Sequence, residues 1–161
     1  MKVVWTALAL VAAVFLQAAL GRLAPSRAAF LDPLLLVAVF CALRGGAVHG
    51  MLAGMACGWV RDVLFGGEVI GVSGLSLLAV GFAVGVVGTR FLLGRPAMRA
   101  LVIFLAVVAD AGVVEAIAAV FDLSFQFAGL EALALRAGIT AALGTAAFEV
   151  LDRRLLGEER R

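Results

Sequence analysis

The sequence has no tyrosine and no asparagine, one histidine and two cysteines. His49 stands alone, and Cys41 and Cys57 fall in separate apolar stretches. A zinc site or a disulfide framework needs paired spacings or further ligands, so neither is supported. The two thiols read as small apolar core residues. Charge is scarce as well. Only 15% of residues are charged, whereas soluble domains carry about 25%. A formal net charge of +2, with no basic stripe interleaved with aromatics, gives nucleic acid nothing to bind. A nucleophilic serine with its base, a metal-ligand set and a phosphate-cradling glycine loop are also missing. The chain therefore reads as non-enzymatic and without a cofactor.

What fills the sequence is apolar. Hydrophobic residues make up 65% of the 161 residues, and the mean hydropathy is +1.16. This composition describes an all-α integral membrane protein forming a single transmembrane domain over residues 1–161. A spanning helix needs about 20 mostly apolar residues. Six segments qualify as spans, at residues 3–20, 30–43, 47–65, 69–93, 100–121 and 132–151. The first resembles a signal peptide, but its long apolar core and poor cleavage pattern make it a retained span. The second is short, and a five-span count would demote it. It opens on Asp32-Pro33, with aspartate suited to a helix N-cap and proline to the first turn.

Orientation follows the distribution of Lys and Arg. With six spans, nine basic residues fall on the side that holds both termini and four on the other. Both termini are thus expected in the cytoplasm.

Glycine recurs every fourth residue at Gly46, Gly50, Gly54 and Gly58. That spacing lines one helix face, and the missing Cβ atoms allow another backbone to approach closely. An internal seam is favoured over a seam with a partner. A second series, Gly74, Gly81, Gly85 and Gly88, makes the following span the natural neighbour.

Ionisable residues inside spans are expensive, face a bundle interior or cavity, and need partners. Arg61 lies about 14 residues into the third segment and Glu115 about 15 into the fifth, roughly 21 and 22 Å deep at the helical rise. Arg61, Asp62, Glu115 and Arg136 are therefore expected to form an outer-leaflet cluster of two positive and two negative charges. It would be either a neutralised set of ion pairs that fixes helix register or a pocket or docking surface open to the outside. Asp110 falls near mid-membrane as a buried ionisable group without an evident partner, which desolvation would hold protonated.

The stretch from Pro33 to Gly71 carries a resemblance. A short leucine-rich span behind Pro33 is followed by Gly54-Met55, Gly58-Trp59, Asp62, Gly66-Gly67 and Ile70-Gly71. This pattern resembles the rod shape-determining protein MreD family. Met55 stands where the family has an aromatic, Trp59 where it has leucine, and Arg61 where it has an apolar residue. The resemblance implies a six-helix bundle similar in architecture to the substrate-binding S components of energy-coupling factor vitamin transporters. It also implies a non-enzymatic subunit of the bacterial cell-elongation machinery, in the inner membrane. Such a subunit binds the bitopic protein MreC and, through it, is linked to MreB filaments and peptidoglycan synthases. Gly50, Gly54, Gly58 and Gly71 would then serve helix packing. Asp62 would either cap the turn after its helix or pair with Arg136. The rival class is a vitamin-binding S component, for which a chain without tyrosine or asparagine offers few polar groups.

Overall fold

The computed structural model describes residues 2–23, 31–65, 70–90, 96–121 and 129–158, and these residues are almost entirely helical. Among the described residues five helices follow one another: α1 (Lys2–Leu23), α2 (Pro33–Phe65), α3 (Val72–Arg90), α4 (Pro96–Val120) and α5 (Leu130–Glu158). By length and composition three stretches of the described residues are able to cross a membrane, Pro33–Leu64, Pro96–Val120 and Leu130–Val150, and Leu10–Ala19 and Val72–Gly88 are shorter apolar helices.

The six expected segments thus appear as five helical elements, because segments 30–43 and 47–65 join through Gly46 without a loop. Gly46 has φ 79° and ψ −173°, a backbone conformation that a Cβ atom disfavours. The break reverses the chain. In a straight helix Asp32 and Arg61 would be about 43 Å apart, yet their side chains meet at 2.9 Å. Residues 33–45 and 47–65 are therefore two arms lying side by side.

Local chemistry accounts for the start of the first arm. Asp32 Oδ1 accepts a hydrogen bond from the Leu35 amide at 3.2 Å, and the Asp32 carbonyl accepts from the Leu36 amide at 3.2 Å. Pro33 occupies the first turn, where an N–H would have no intrahelical acceptor. This short arm, which a five-span count would have demoted, lies at the centre. Leu34, Leu35, Ala38, Val39 and Ala42 are all essentially inaccessible. They belong to one cluster with Ala13 of α1, Leu77 and Val80 of α3, Ile103 and Val107 of α4, and Ala137 and Phe148 of α5.

The second arm packs antiparallel on α3 along the expected glycine face. A Cβ placed on Gly54 would fall onto the Leu77 carbonyl, and in the same register Gly50 lies against Gly81 and Gly58 against Ser73 and Gly74. The seam is internal to the chain. Helix α4 packs against α3 and α5. Away from the α2–α3 turn, Phe40 of the first arm meets Phe148 of α5 with ring centroids 4.9 Å apart. Arg44 lies over the Phe40 ring and Arg99 over the Phe148 ring.

Outward, the helices present large apolar side chains, among them Leu52, Trp59, Phe82, Leu105 and Leu135. An apolar exterior around an apolar core, together with three helices able to span, marks a membrane protein.

Candidate functional site

Four charged side chains converge near the end of the bundle where α2 finishes and α3 begins. Arg61 comes from the last turns of the second arm, Asp32 from the head of the first, Asp110 from α4 and Arg136 from α5. Arg61 grips Asp110 in a fork: Nη1 donates to Oδ2 at 3.0 Å and Nη2 to Oδ1 at 3.3 Å. The same Nη1 reaches Asp32 Oδ2 at 2.9 Å, and Arg136 Nη2 donates to that oxygen, also at 2.9 Å. Ser76, one turn into α3, is fully buried. Its Oγ lies within hydrogen-bond reach of Asp110 Oδ1 and, at 3.1 Å, of the Asp110 carbonyl. Its single proton serves one of them at a time.

Both carboxylates are nearly inaccessible, at 3% and 5% side-chain exposure, while Arg61 is 15% and Arg136 33% exposed. Two cations and two anions form a neutral set. Burial is tolerable on those terms, since an isolated charge in such surroundings costs several kcal/mol and a well-bonded pair offsets it. Forked arginine–carboxylate contacts also fix orientation, because both partners are planar. The bonds cross between units of the fold. Arg61–Asp110 and Ser76–Asp110 tie α2 and α3 to α4, and Arg136–Asp32 ties α5 to the first arm. The cluster is thus the polar clamp at one end of the bundle, opposite the Phe40–Phe148 contact.

Arg61 and Arg136 do meet in one cluster, but the acids beside them are Asp32 and Asp110, not Asp62 and Glu115. The reason is register. Helix α4 begins at Pro96, four residues before the expected start at Ala100. Counted from Pro96, Asp110 is about 14 residues in, level with Arg61 in its own arm. Asp110 is therefore paired, and the expectation of an unpartnered carboxyl is overturned. Glu115 lies exposed on the outside of α4. Asp32 combines its expected capping role with ion pairing to Arg61 and Arg136 that was not expected of it. A signal existed: a 13-residue arm that starts deep in the bundle places its N-cap carboxylate away from water, where it needs a cation.

Asp62 is buried and pairs with neither arginine of the clamp. Its Oδ2 accepts from the Gly71 amide at 2.8 Å, while the Gly71 carbonyl accepts from Leu75 at 2.9 Å as the first acceptor of α3. Of its two expected roles, capping the following turn is the one observed. Gly71, expected to pack helices, is a turn residue instead. It has φ 107°, and nothing lies within 4 Å of where its Cβ would be.

Replacing Asp62 with alanine orphans the Gly71 amide and is expected to cost about 1.5–3 kcal/mol, the range for hydrogen bonds to charged groups. Asp62→Asn keeps an acceptor and should lose less. Thermal unfolding in mild detergent would rank wild type, Asn and Ala in that order. Equal stability of wild type and Asp62→Ala would refute the capping role.

Among the described residues, no group of three His, Cys, Asp or Glu side chains is placed to hold a metal ion. Chemically the cluster holds helices: each carboxylate is occupied by arginine, and Ser76 is committed to Asp110. Fold and site together define a helical membrane protein with a buried, self-neutralised charge clamp. Compared with protein-family models, curated proteins and solved structures, the chain finds no match.

Proposed function

We propose that this protein is a non-enzymatic scaffold subunit of the bacterial rod-shape machinery, of the MreD kind, which binds MreC in the inner membrane. The observation that carries the reading is the hydrogen bond from the Gly71 amide to Asp62, at the end of the glycine seam. It gives the spaced residues Gly54, Gly58, Asp62 and Gly71 one shared purpose. Two glycines bring the second arm of α2 against α3, the aspartate closes the turn between them, and Gly71 supplies the backbone conformation that this closure needs. A motif whose members cooperate in building one rigid hairpin is what a protein without chemistry requires, since it acts by holding a partner in one of several arrangements.

In this reading the chain spans the membrane six times, with the two arms of α2 counted separately. The reversal at Gly46 supports that count. The distribution of Lys and Arg puts both termini in the cytoplasm, so the clamp and the Asp62 turn lie toward the outside. MreC is the direct partner, and MreB filaments and peptidoglycan synthases are linked through it.

Purification in mild detergent from the native host, followed by mass spectrometry, tests the proposal. Near-stoichiometric MreC is the expected result, and its recovery should fall in the Asp62→Ala variant. Recovery of an energy-coupling ATPase pair with its membrane coupling subunit would overturn the reading and identify a transporter component instead.

A further inference from the structure

The end of the bundle opposite the clamp gathers positive charge on an aromatic platform. Phe40 of the first arm and Phe148 of α5 lie with ring centroids 4.9 Å apart. The guanidinium carbon of Arg44 stands 4.8 Å from the Phe40 centroid, and that of Arg99, from α4, stands 5.8 Å from the Phe148 centroid. Three units of the fold thus bring two cations to one pair of rings. An arginine held over an aromatic face keeps its donors around the rim of its plane, where they reach outward.

Charge at this end is not balanced. Arg99 lies in the first turn of α4, which has no acid in that turn, so a cation adds to the positive end of the helix dipole. The second arm of α2 also starts here, after the reversal at Gly46, and Ala47, Val48 and His49 bring it no acid. Helix α3 finishes here on Arg90, and α5 runs on through Asp152, Arg153 and Arg154. Glu149, next after Phe148, is exposed. Both platform arginines and Glu149 have further contacts within the fold. A guanidinium nonetheless has more donors than one carboxylate can occupy, and the excess charge is positive.

The platform sits at the level of lipid headgroups. Arg99 is three residues inside a helix able to cross a membrane, about 4–5 Å from its start. Arg44 is two residues before the reversal that ends the first arm. Apolar side chains nearby in the chain, Val48, Met98 and Leu101, are exposed. An anion bound here lies beside apolar surface, which suits a headgroup with its acyl chains better than a free ion.

We propose that this platform binds the phosphate headgroup of an anionic phospholipid, with Arg44 and Arg99 donating to its oxygens. The planar, many-donor guanidinium matches phosphate in a way that an ammonium does not. Basic residues near a membrane surface attract anionic lipid through charge alone. A built site differs in depending on the shape of its cations as well. The site goes beyond the scaffold reading and does not depend on it.

The test uses the full chain in detergent micelles that contain equal amounts of phosphatidylglycerol and phosphatidylcholine, with bound lipid counted by native mass spectrometry. Phosphatidylglycerol should be retained about tenfold over phosphatidylcholine, the scale of one charge-assisted hydrogen bond. The double variant Arg44→Lys/Arg99→Lys keeps the charge, loses the flat cations and should lose most of that preference. Each single Lys variant should lose part of it, which keeps the comparison open if the pair fails to fold. Millimolar inorganic phosphate should leave the lipid bound. Equal retention of the two lipids would mean that no site exists. A preference unchanged in the Lys variants would reduce it to attraction by charge, and displacement by inorganic phosphate would make it a site for a free anion. Each of these three results would overturn the inference.

Discussion

Replacing Arg61 with leucine is expected to destabilise the protein by about 3–5 kcal/mol, the range for breaking a buried ion pair by removing one partner. Among the described residues, Arg61 is the one side chain that touches both carboxylates of the clamp, Asp32 and Asp110. Its loss leaves Asp110 with Ser76 alone and removes one of two cations from Asp32. The remaining set carries a net negative charge in surroundings that tolerate none. The double variant Arg61→Leu/Asp110→Leu is expected to recover most of that loss. It removes one charge of each sign and leaves the Asp32–Arg136 pair intact, and apolar replacement of a whole buried pair is often neutral. Cys57 is free and fully buried, so its reaction with a thiol-specific dye reports unfolding in detergent. A midpoint lowered on the order of 10 °C in the single variant and largely restored in the double would establish the coupling. Additive losses would mean that Arg61 and Asp110 act independently and that the clamp is not a unit.

Gly54→Leu should be at least as damaging, by a different physical route. The Cβ alone would land on the Leu77 carbonyl of α3, a backbone atom that cannot swing aside as the end of a side chain would. The second arm must separate from α3 along its length, and the dispersion contacts that hold helices together in lipid are lost with it. Overpacking of this kind costs about 1–3 kcal/mol in ordinary cores and more where the neighbour is rigid. Gly54→Ala is expected to show a smaller loss in the same direction. Gly112→Ala serves as the control, because its Cβ would meet nothing within 4 Å. Comparable melting of Gly54→Ala and Gly112→Ala would show that the seam is not tightly closed.

These two sites differ in how visible they are in a bare sequence. The glycine seam is legible because its signal is a period, with one residue type every four positions, and a helix turns that period directly into a face. The Asp32-Pro33 start is legible for a similarly local reason, since capping involves only neighbours in the chain. The charge clamp is a matter of depth, and depth accumulates every error in where a helix begins. Placing the start of α4 at Ala100 and not at Pro96 shifts its register by more than one turn. That shift is enough to exchange Asp110 for Glu115 as the residue level with Arg61.

Adjacent residues mislead in another way. Arg61 and Asp62 are neighbours in the chain but about 100° apart around the helix. One therefore turns inward to the clamp and the other toward the turn before α3. The reversal at Gly46 was hidden because the same glycine fits the four-residue period. Membership in a packing face and service as a hinge look identical in sequence, and only the positive φ separates them.

The seam, the Asp62 turn and the clamp describe a bundle in which Arg61, Asp32, Asp110, Arg136 and Asp62 hold its own helices. Such a molecule suits a subunit that presents a fixed surface to a partner. The most direct measurement is binding between purified components, with this protein in lipid nanodiscs titrated with full-length MreC and the complex followed by size and mass. The account expects a discrete complex of defined stoichiometry that weakens in Asp62→Ala. A chain that stays folded in the nanodisc and leaves MreC unbound at every concentration would contradict it.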